Sequence, residues 1–369
     1  MALLEYLNHT VPDVVKKSVN SFFFQDPAMD AMRKRGNVKR NGGSLVRFKR
    51  IKSGHSDVSE ISGANLSVNL AKRETFDTMT GDWGRYIKPI VIPHLDMDRM
   101  ENAAQKKQFI QETSQACVQS FKNDVVKRYY LGNAATAAVT PMIGSLNGGL
   151  AATPGANGTA NGFRFGALVF DTPATQDSTA GLTYMNLDRR QDAVRDEDNW
   201  HNQFKAHAGI GTDFLETVEE IKMVADSYCD DNEGISMGVL GHVEHVQLGK
   251  EIRTLGGRAG GGLVYTPTDL DKGFAQKAIH VAGGIAYHSN RFMTAARLSV
   301  GGGAALTGAC YLLNPNTLEF WINAGHDFNV TKFTNHMEHG NQAADIAYCV
   351  LEAQYCVREL LTQGCTRQA

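Results

Sequence analysis

Between Asp96 and Leu131 the apolar residues Ile110, Cys117, Phe121, Val125 and Tyr129 recur at spacings of four and seven, which is one stripe of an α-helix. Pro93 stands just upstream, Asp96 or Asp98 can cap the first turn, and Gly132-Asn133 supplies a stop. A single helix across this span is a rod of about 54 Å. The mean helix of a globular domain has only about 11–12 residues. No small core covers such a rod on its own, so other layers of this chain, or other copies of it, must flank it.

The remaining chain is long enough to supply them. Its 369 residues suffice for two average domains, or for one with long extensions. Apolar residues make up 42% and charged residues 21%, so a core can form. The formal net charge of −2 excludes a molecule that binds nucleic acid over its whole surface. No apolar run approaches the length of a membrane span, and Met1 to Tyr6 lacks the basic and apolar regions of a signal peptide. The cysteines Cys117, Cys229, Cys310, Cys349, Cys356 and Cys365 form no CxxC pair and are expected as reduced thiols that pack as small apolar groups.

Two segments before the rod have too little apolar content to fold alone. Residues 1–43 read as an arm with a short amphipathic start (Leu3, Leu4, Leu7) and three adjacent aromatics, Phe22, Phe23 and Phe24. Each buried aromatic contributes roughly 1.5–3 kcal/mol, so the triplet must dock on this chain or on a neighbour. A basic stretch follows: Arg33, Lys34, Arg35, Lys39, Arg40, Arg47, Lys49, Arg50 and Lys52, with no acidic residue between Asp30 and Asp57. It can contact nucleic-acid phosphates, pair with an acidic surface such as Asp226 to Glu233 of a neighbouring copy, or remain a solvated charge run. Residues 44–95 read as a long antiparallel excursion: Val46 and Phe48 alternate with Arg47 and Lys49, and Leu66, Val68 and Leu70 repeat the pattern. Two strands alone are marginal in water, so a partner is expected to cover them.

After the rod, residues 132–180 are rich in Ala, Gly, Thr and Asn and read as a long irregular segment. Phe214, Val218, Ile221 and Ala225 give a helical stripe, Ile235 to Leu240 a strand, and His242 to Leu255 a helix closed by Gly256-Gly257. Ala278 to Tyr287 reads as a strand interrupted by Gly283-Gly284, and strands flank a turn at Asn314-Pro315-Asn316. In the last segment Ile346, Val350, Ala353, Val357 and Leu360 match a helix face and are read as helix, although Tyr348 to Leu351 and Tyr355 to Val357 also suit strands.

No motif assembles a catalytic set. His242-Val243-Glu244-His245 and His336-Met337-Glu338-His339 place histidines three apart, which can share a helix face, but no third ligand or acid-base group accompanies them. The glycine runs at 256–262 and 301–303 lack the phosphate-loop and dinucleotide patterns, and no GxSxG elbow occurs. No catalytic residue, cofactor or metal is assigned, and the chain is expected not to be an enzyme.

An arm, a core-poor hairpin and a rod cannot all fold onto one small core, and chains with such projections bury them in large permanent interfaces. The order of segments resembles the major capsid proteins of tailed bacteriophages, the Hong Kong 97-type (HK97-like) fold. The resemblance implies an α+β protein with an N-terminal arm (1–43), an extended hairpin loop (44–95) and a peripheral domain (96–205) whose spine helix is 96–131. An axial domain (206–290) and return strands with a C-terminal segment (291–369) complete it. The strand from Ile279 to Asn290 is similar to the family's return strand, and the pair around Asn314 to Glu319 fits as well. The resemblance implies self-assembly through hexamers and pentamers into an icosahedral shell that encloses phage DNA. It further implies non-specific contact with packaged double-stranded DNA, a separate or cleaved scaffolding protein, a portal, a decoration protein in some shells, and no membrane. The protein would reside in the virion capsid after assembly in the host bacterial cytoplasm. Phe22 to Phe24 and the nine basic residues from Arg33 to Lys52 are the candidate inter-subunit or DNA contacts. An encapsulin-like nanocompartment shell is the close alternative, and a cytosolic metal-dependent hydrolase using His242, His245, His336 or His339 is the distant one.

Overall fold

The computed structural model describes residues 7, 11–12, 26–51, 76–131, 145–147, 166–168, 183–184, 187–188, 201–229, 234–259, 280–291, 293, 307–335 and 343–369. Helices and strands are mixed along the chain, as expected for α+β. The described helices are α1 (Pro27–Lys34), α2 (His94–Asp98), α3 (Ala103–Leu131), α4 (Phe214–Asp226) and α5 (His242–Ala259). The strands are β1 (Val38–Asn41), β2 (Leu45–Ile51), β3 (Phe76–Asp82), β4 (Gly84–Pro93), β5 (Ser145–Asn147), β6 (Gly166–Leu168), β7 (Thr183–Tyr184), β8 (Leu187–Asp188), β9 (Gln203–Phe204), β10 (Met237–Gly241), β11 (His280–Ala282), β12 (Ile285–Asn290), β13 (Cys310–Leu313), β14 (Leu318–Asn323), β15 (Asn329–Val330), β16 (Thr334–Asn335), β17 (Ala344–Val357) and β18 (Gly364–Thr366).

The first sheet is built on β17, whose 14 residues pair antiparallel with β4 along one edge and with β14, β15 and β16 along the other, while β1 runs parallel beyond β14. The last segment is therefore a strand, correcting the helix expected there. Both faces of β17 are largely buried, so its sequence is a near-continuous apolar run that fits either period. The branched and aromatic residues Ile346, Tyr348, Val350 and Tyr355 suit the pleat, and β4 supplies a ten-residue partner that a helix could not use.

The rod divides in two. α2 ends at Arg99 and α3 begins after Asn102, whose carbonyl accepts the first helical bond from Lys106 N at 3.1 Å. The break sets aside the expected caps at Asp96 and Asp98 and leaves a 29-residue helix, about 44 Å long. Its stripe is the one read from the sequence. Ile110, Phe121, Val125 and Tyr129 are buried, and the half-buried Cys117 donates Sγ–H to Pro89 O at 3.1 Å. Phe121 meets Tyr86 and Phe328 edge-on, while Tyr129 lies 4.3 Å from the Tyr355 ring, which stacks on Phe320. This aromatic seam joins α3 to the inner face of the first sheet.

The second sheet runs β11-β12-β10-β13-β18-β9. The expected strand from Ala278 to Tyr287 is a hairpin in which Gly283 and Gly284, at φ +57° and +76°, form the two-residue turn that requires left-handed backbone. Residues on its strands alternate between two cores. Ile285, Tyr287, Cys310 and Leu312 face Phe214, Val218, Ile221, Leu248 and Ile252 of α4 and α5. Met237, Val239, Tyr311 and Leu313 face the core shared with α3 and the first sheet. Both faces are covered, which accounts for the largely apolar run from Ile235 to Leu240. α5 continues through Gly256 and Gly257 rather than closing at them.

Candidate assembly surface

The second half of the arm belongs to its own subunit. Asp26 caps α1 by accepting from Ala28 N and Met29 N, and Pro27 occupies the first helical position. The same buried carboxylate accepts from Tyr130 Oη at 2.8 Å and Asn290 Nδ2 at 3.1 Å. Ala28, Met29 and Met32 enter the core, and β1 adds a parallel strand to β14. Leu7 and Val11 are buried in the same core.

That docking neutralises much of the basic stretch within the subunit. Arg33 and Lys34 both reach Asp30, at 3.3 and 2.8 Å. Lys39 Nζ lies 2.6 Å from Glu319, which is 2% exposed, and 5.2 Å from the Trp321 ring, whose Nε1 donates to the same carboxylate. Arg358 approaches Glu319 as well. Arg40 donates to Asp327 at 2.7 Å. Arg35 forms the C-cap of α1. Arg47 is exposed on β2, and Lys49 and Arg50 follow on the same strand. Phe22, Phe23, Phe24 and Lys52 lie outside the described residues, as do His336 and His339. Asp226 is also committed internally, accepting from Ile235 N at 3.0 Å.

β2 and β3 pair over seven residues and, among the described residues, with no third strand. The strand pair is tied at its base. Gly43, at φ +120°, opens the turn from β1, Trp83 Nε1 donates to Gly43 O at 2.8 Å, and Val46 is buried beside it. Beyond Trp83 the chain enters the first sheet as β4, so Ile90 and Ile92 are core residues of that sheet.

β4 also carries an exposed apolar face. Its even-numbered residues Tyr86, Ile90 and Ile92 point inward, while Ile87 is 56% exposed and Val91 38%. Tyr348, opposite Pro89 in the ladder, is 39% exposed on the same face. Arg85 and Glu352 close one end of this strip with an ion pair that also takes in Asn323 and His326. A second apolar group lies on the outer surfaces of α4 and α5, where Met223 is 74% and Val243 63% exposed, with Val224, Tyr228 and Val246 nearby in sequence. Sequence reading missed both groups because strand register and helix facing decide which apolar residues stay outside.

The remaining described candidates, His242 and His245, lie on α5. His245 is buried, stacks on His280 at 4.3 Å and directs Nε2 to Tyr287 O, and burial holds its pKa below the ordinary value. Among the described residues no cluster of three or more metal-ligating side chains occurs. None of the six cysteines forms a disulfide, and burial raises the pKa of Cys349 to about 12. No described helix is long and apolar enough to cross a membrane.

No family model matches the sequence, and no curated protein is similar to it. Solved structures are similar in fold at very low identity. The capsid asymmetric unit of cyanophage A-1(L) is 11% identical with a TM-score of 0.49, over 90% of each chain. The capsid of an empty GTA particle is 10% identical with a TM-score of 0.48, over 92% of this chain and 90% of that chain. The capsid of Myoviridae phage XM1 is 11% identical with a TM-score of 0.48, over 92% of each chain.

Proposed function

We propose that this chain is a major capsid protein that assembles with copies of itself into a closed icosahedral shell around phage DNA, and that its role is structural. The hairpin β2–β3 carries the reading. It is a two-stranded ribbon tied at Gly43 and Trp83 with no third strand among the described residues, and two strands alone are marginal in water. A neighbouring copy supplies the missing layer. The apolar strip of Ile87, Val91 and Tyr348 and the outer faces of α4 and α5 are further surfaces for like contacts.

In this reading the arm is 1–43, the extended loop is the part of 44–95 that ends at Trp83, where β4 enters the first sheet, the peripheral domain is 96–205, the axial domain 206–290 and the return segment 291–369. Arg47 is the contact cation we favour, because Arg33, Lys34, Lys39 and Arg40 are already paired within the subunit. Hexamers and pentamers of the chain, a scaffolding protein, a portal and packaged double-stranded DNA complete the assembly, which takes place in the host cytoplasm.

Light scattering and negative-stain microscopy of the full chain test the proposal, and closed particles are expected. A monomer or small dimer at all working concentrations would sink it. Nuclease-protected DNA inside particles from infected or producing cells separates a phage capsid from a nanocompartment, which would hold protein cargo instead.

A further inference from the structure

The two sheets share one bent antiparallel ribbon. β13 pairs with β18 in the second sheet, and their continuations β14 and β17 pair in the first. The last regular rungs on either side are Leu312 with Gly364 and Leu318 with Val357. Between them the ladder opens, and the segments 314–317 and 358–363 cross from one sheet to the other.

A side chain closes that gap. Gln363 is fully buried. Its Oε1 accepts from Asn314 N at 2.9 Å, and its Nε2 donates to Asn314 O at 3.1 Å and to Thr317 Oγ1 at 2.6 Å. A carboxamide holds donor and acceptor in one plane, so it pairs with a peptide group as another strand would. Gln363 thus supplies the rung that the bend removes. Neighbouring bonds tighten the knot: Gln203 N donates to Gln363 O at 2.9 Å, and Asn37 Nδ2 donates to Pro315 O and Asn316 O at 3.0 and 3.1 Å. Thr317 Oγ1 lies 3.3 Å from Thr362 Oγ1.

We infer that the Gln363 clamp fixes the angle between the two sheets and thereby sets the curvature of the assembled shell. The inference rests on the proposed shell function. In a closed assembly every copy repeats the same internal angle, so a small change per subunit alters where the surface closes. Networks of fully satisfied buried bonds hold a single arrangement, whereas apolar packing alone tolerates sliding. Gln363 is a positioning residue in this scheme and lies on no contact surface.

Gln363→Glu tests it. A carboxylate accepts from Asn314 N but cannot donate to Asn314 O. Burial raises the pKa of such a carboxyl, and once protonated it donates again. Particle diameters are measured by electron microscopy after assembly at about pH 10 and at about pH 5, on either side of that raised range. Wild type is expected to give one diameter at both. The variant is expected to give a broad distribution or open sheets at the alkaline pH and the wild-type diameter in acid. A single wild-type diameter for the variant at both pH values overturns the inference, as does an equal defect at both. If the variant does not fold, Thr317→Val decides, since it removes the hydroxyl that accepts from Gln363 Nε2, together with that hydroxyl's contacts to Asn314 O and Thr362 Oγ1. A broadened distribution supports the clamp, and unchanged diameters overturn it. Absence of particles from the wild-type chain would instead bring down the shell reading itself.

Discussion

Asp26 shows how far one side chain's role can outrun its local signal. The pair Asp26-Pro27 is a readable helix start, an N-cap followed by proline at the first position. Nothing nearby announces that the same carboxylate serves Tyr130, 104 residues later, and Asn290, 264 residues later. Burial, then the adjacent Asp26 charge, raises the pKa of the Tyr130 phenol well above the ordinary value, so it remains a donor. Asp26→Ala removes a cap and leaves buried donors without an acceptor, and chemical denaturation should show a loss of about 2–4 kcal/mol. Lys122 behaves in the opposite sense. It is 1% exposed on α3, and burial lowers its pKa from 10.5 to about 8. The unfolded chain therefore holds a proton that the folded chain releases between these values, and stability should climb with pH across that window. Lys122→Met should flatten the climb and stabilise the protein at neutral pH by about 1–3 kcal/mol. Denaturation midpoints that fall between pH 8 and 10 would contradict the sign.

At the scale of elements, the sequence was most legible where one face is wet. The stripe of α3 and the alternation on β2 both follow the period of the structure that forms. β17 escaped because burial on both faces erases the period, and its partner β4 lies some 260 residues away in the chain. The hairpin of β11 and β12 was half legible: Gly283-Gly284 marked an interruption, and only the pairing of His280 with Tyr287 shows that the chain reverses there. A glycine without any turn has the sharper consequence. Gly238 lies in β10 opposite Tyr287, and a Cβ at that position would meet the ring at 2.5 Å. Gly238→Ala should cost about 1–3 kcal/mol and shift the thermal midpoint downward. Gly36, also glycine but with open space around its α-carbon, would lose only what its φ of +74° demands. The candidate surface was legible only in part. The basic stretch was visible as composition, but Lys39 and Arg40 find their partners Glu319 and Asp327 at the far end of the chain, so part of its charge is paired within the subunit.

For the whole molecule, the exposed apolar strip separates assembly from folding. Ile87→Lys combined with Val91→Lys alters residues that already face solvent, so the thermal midpoint should move little. Sedimentation should then show free subunits where the wild type gives particles, and normal particles from the double variant would remove the strip from the interface. Pro89 sits in the middle of that strip, on a strand that pairs only with β17 among the described residues. Its ring has no N–H, so a foreign backbone laid along β4 would find the hydrogen-bond row interrupted at its centre. Copies meeting on this side therefore touch through side chains, and such contacts come apart far more readily than a continuous backbone zipper. In the proposed shell, a wrongly seated copy then falls off and tries again, so the growing lattice corrects its own mistakes.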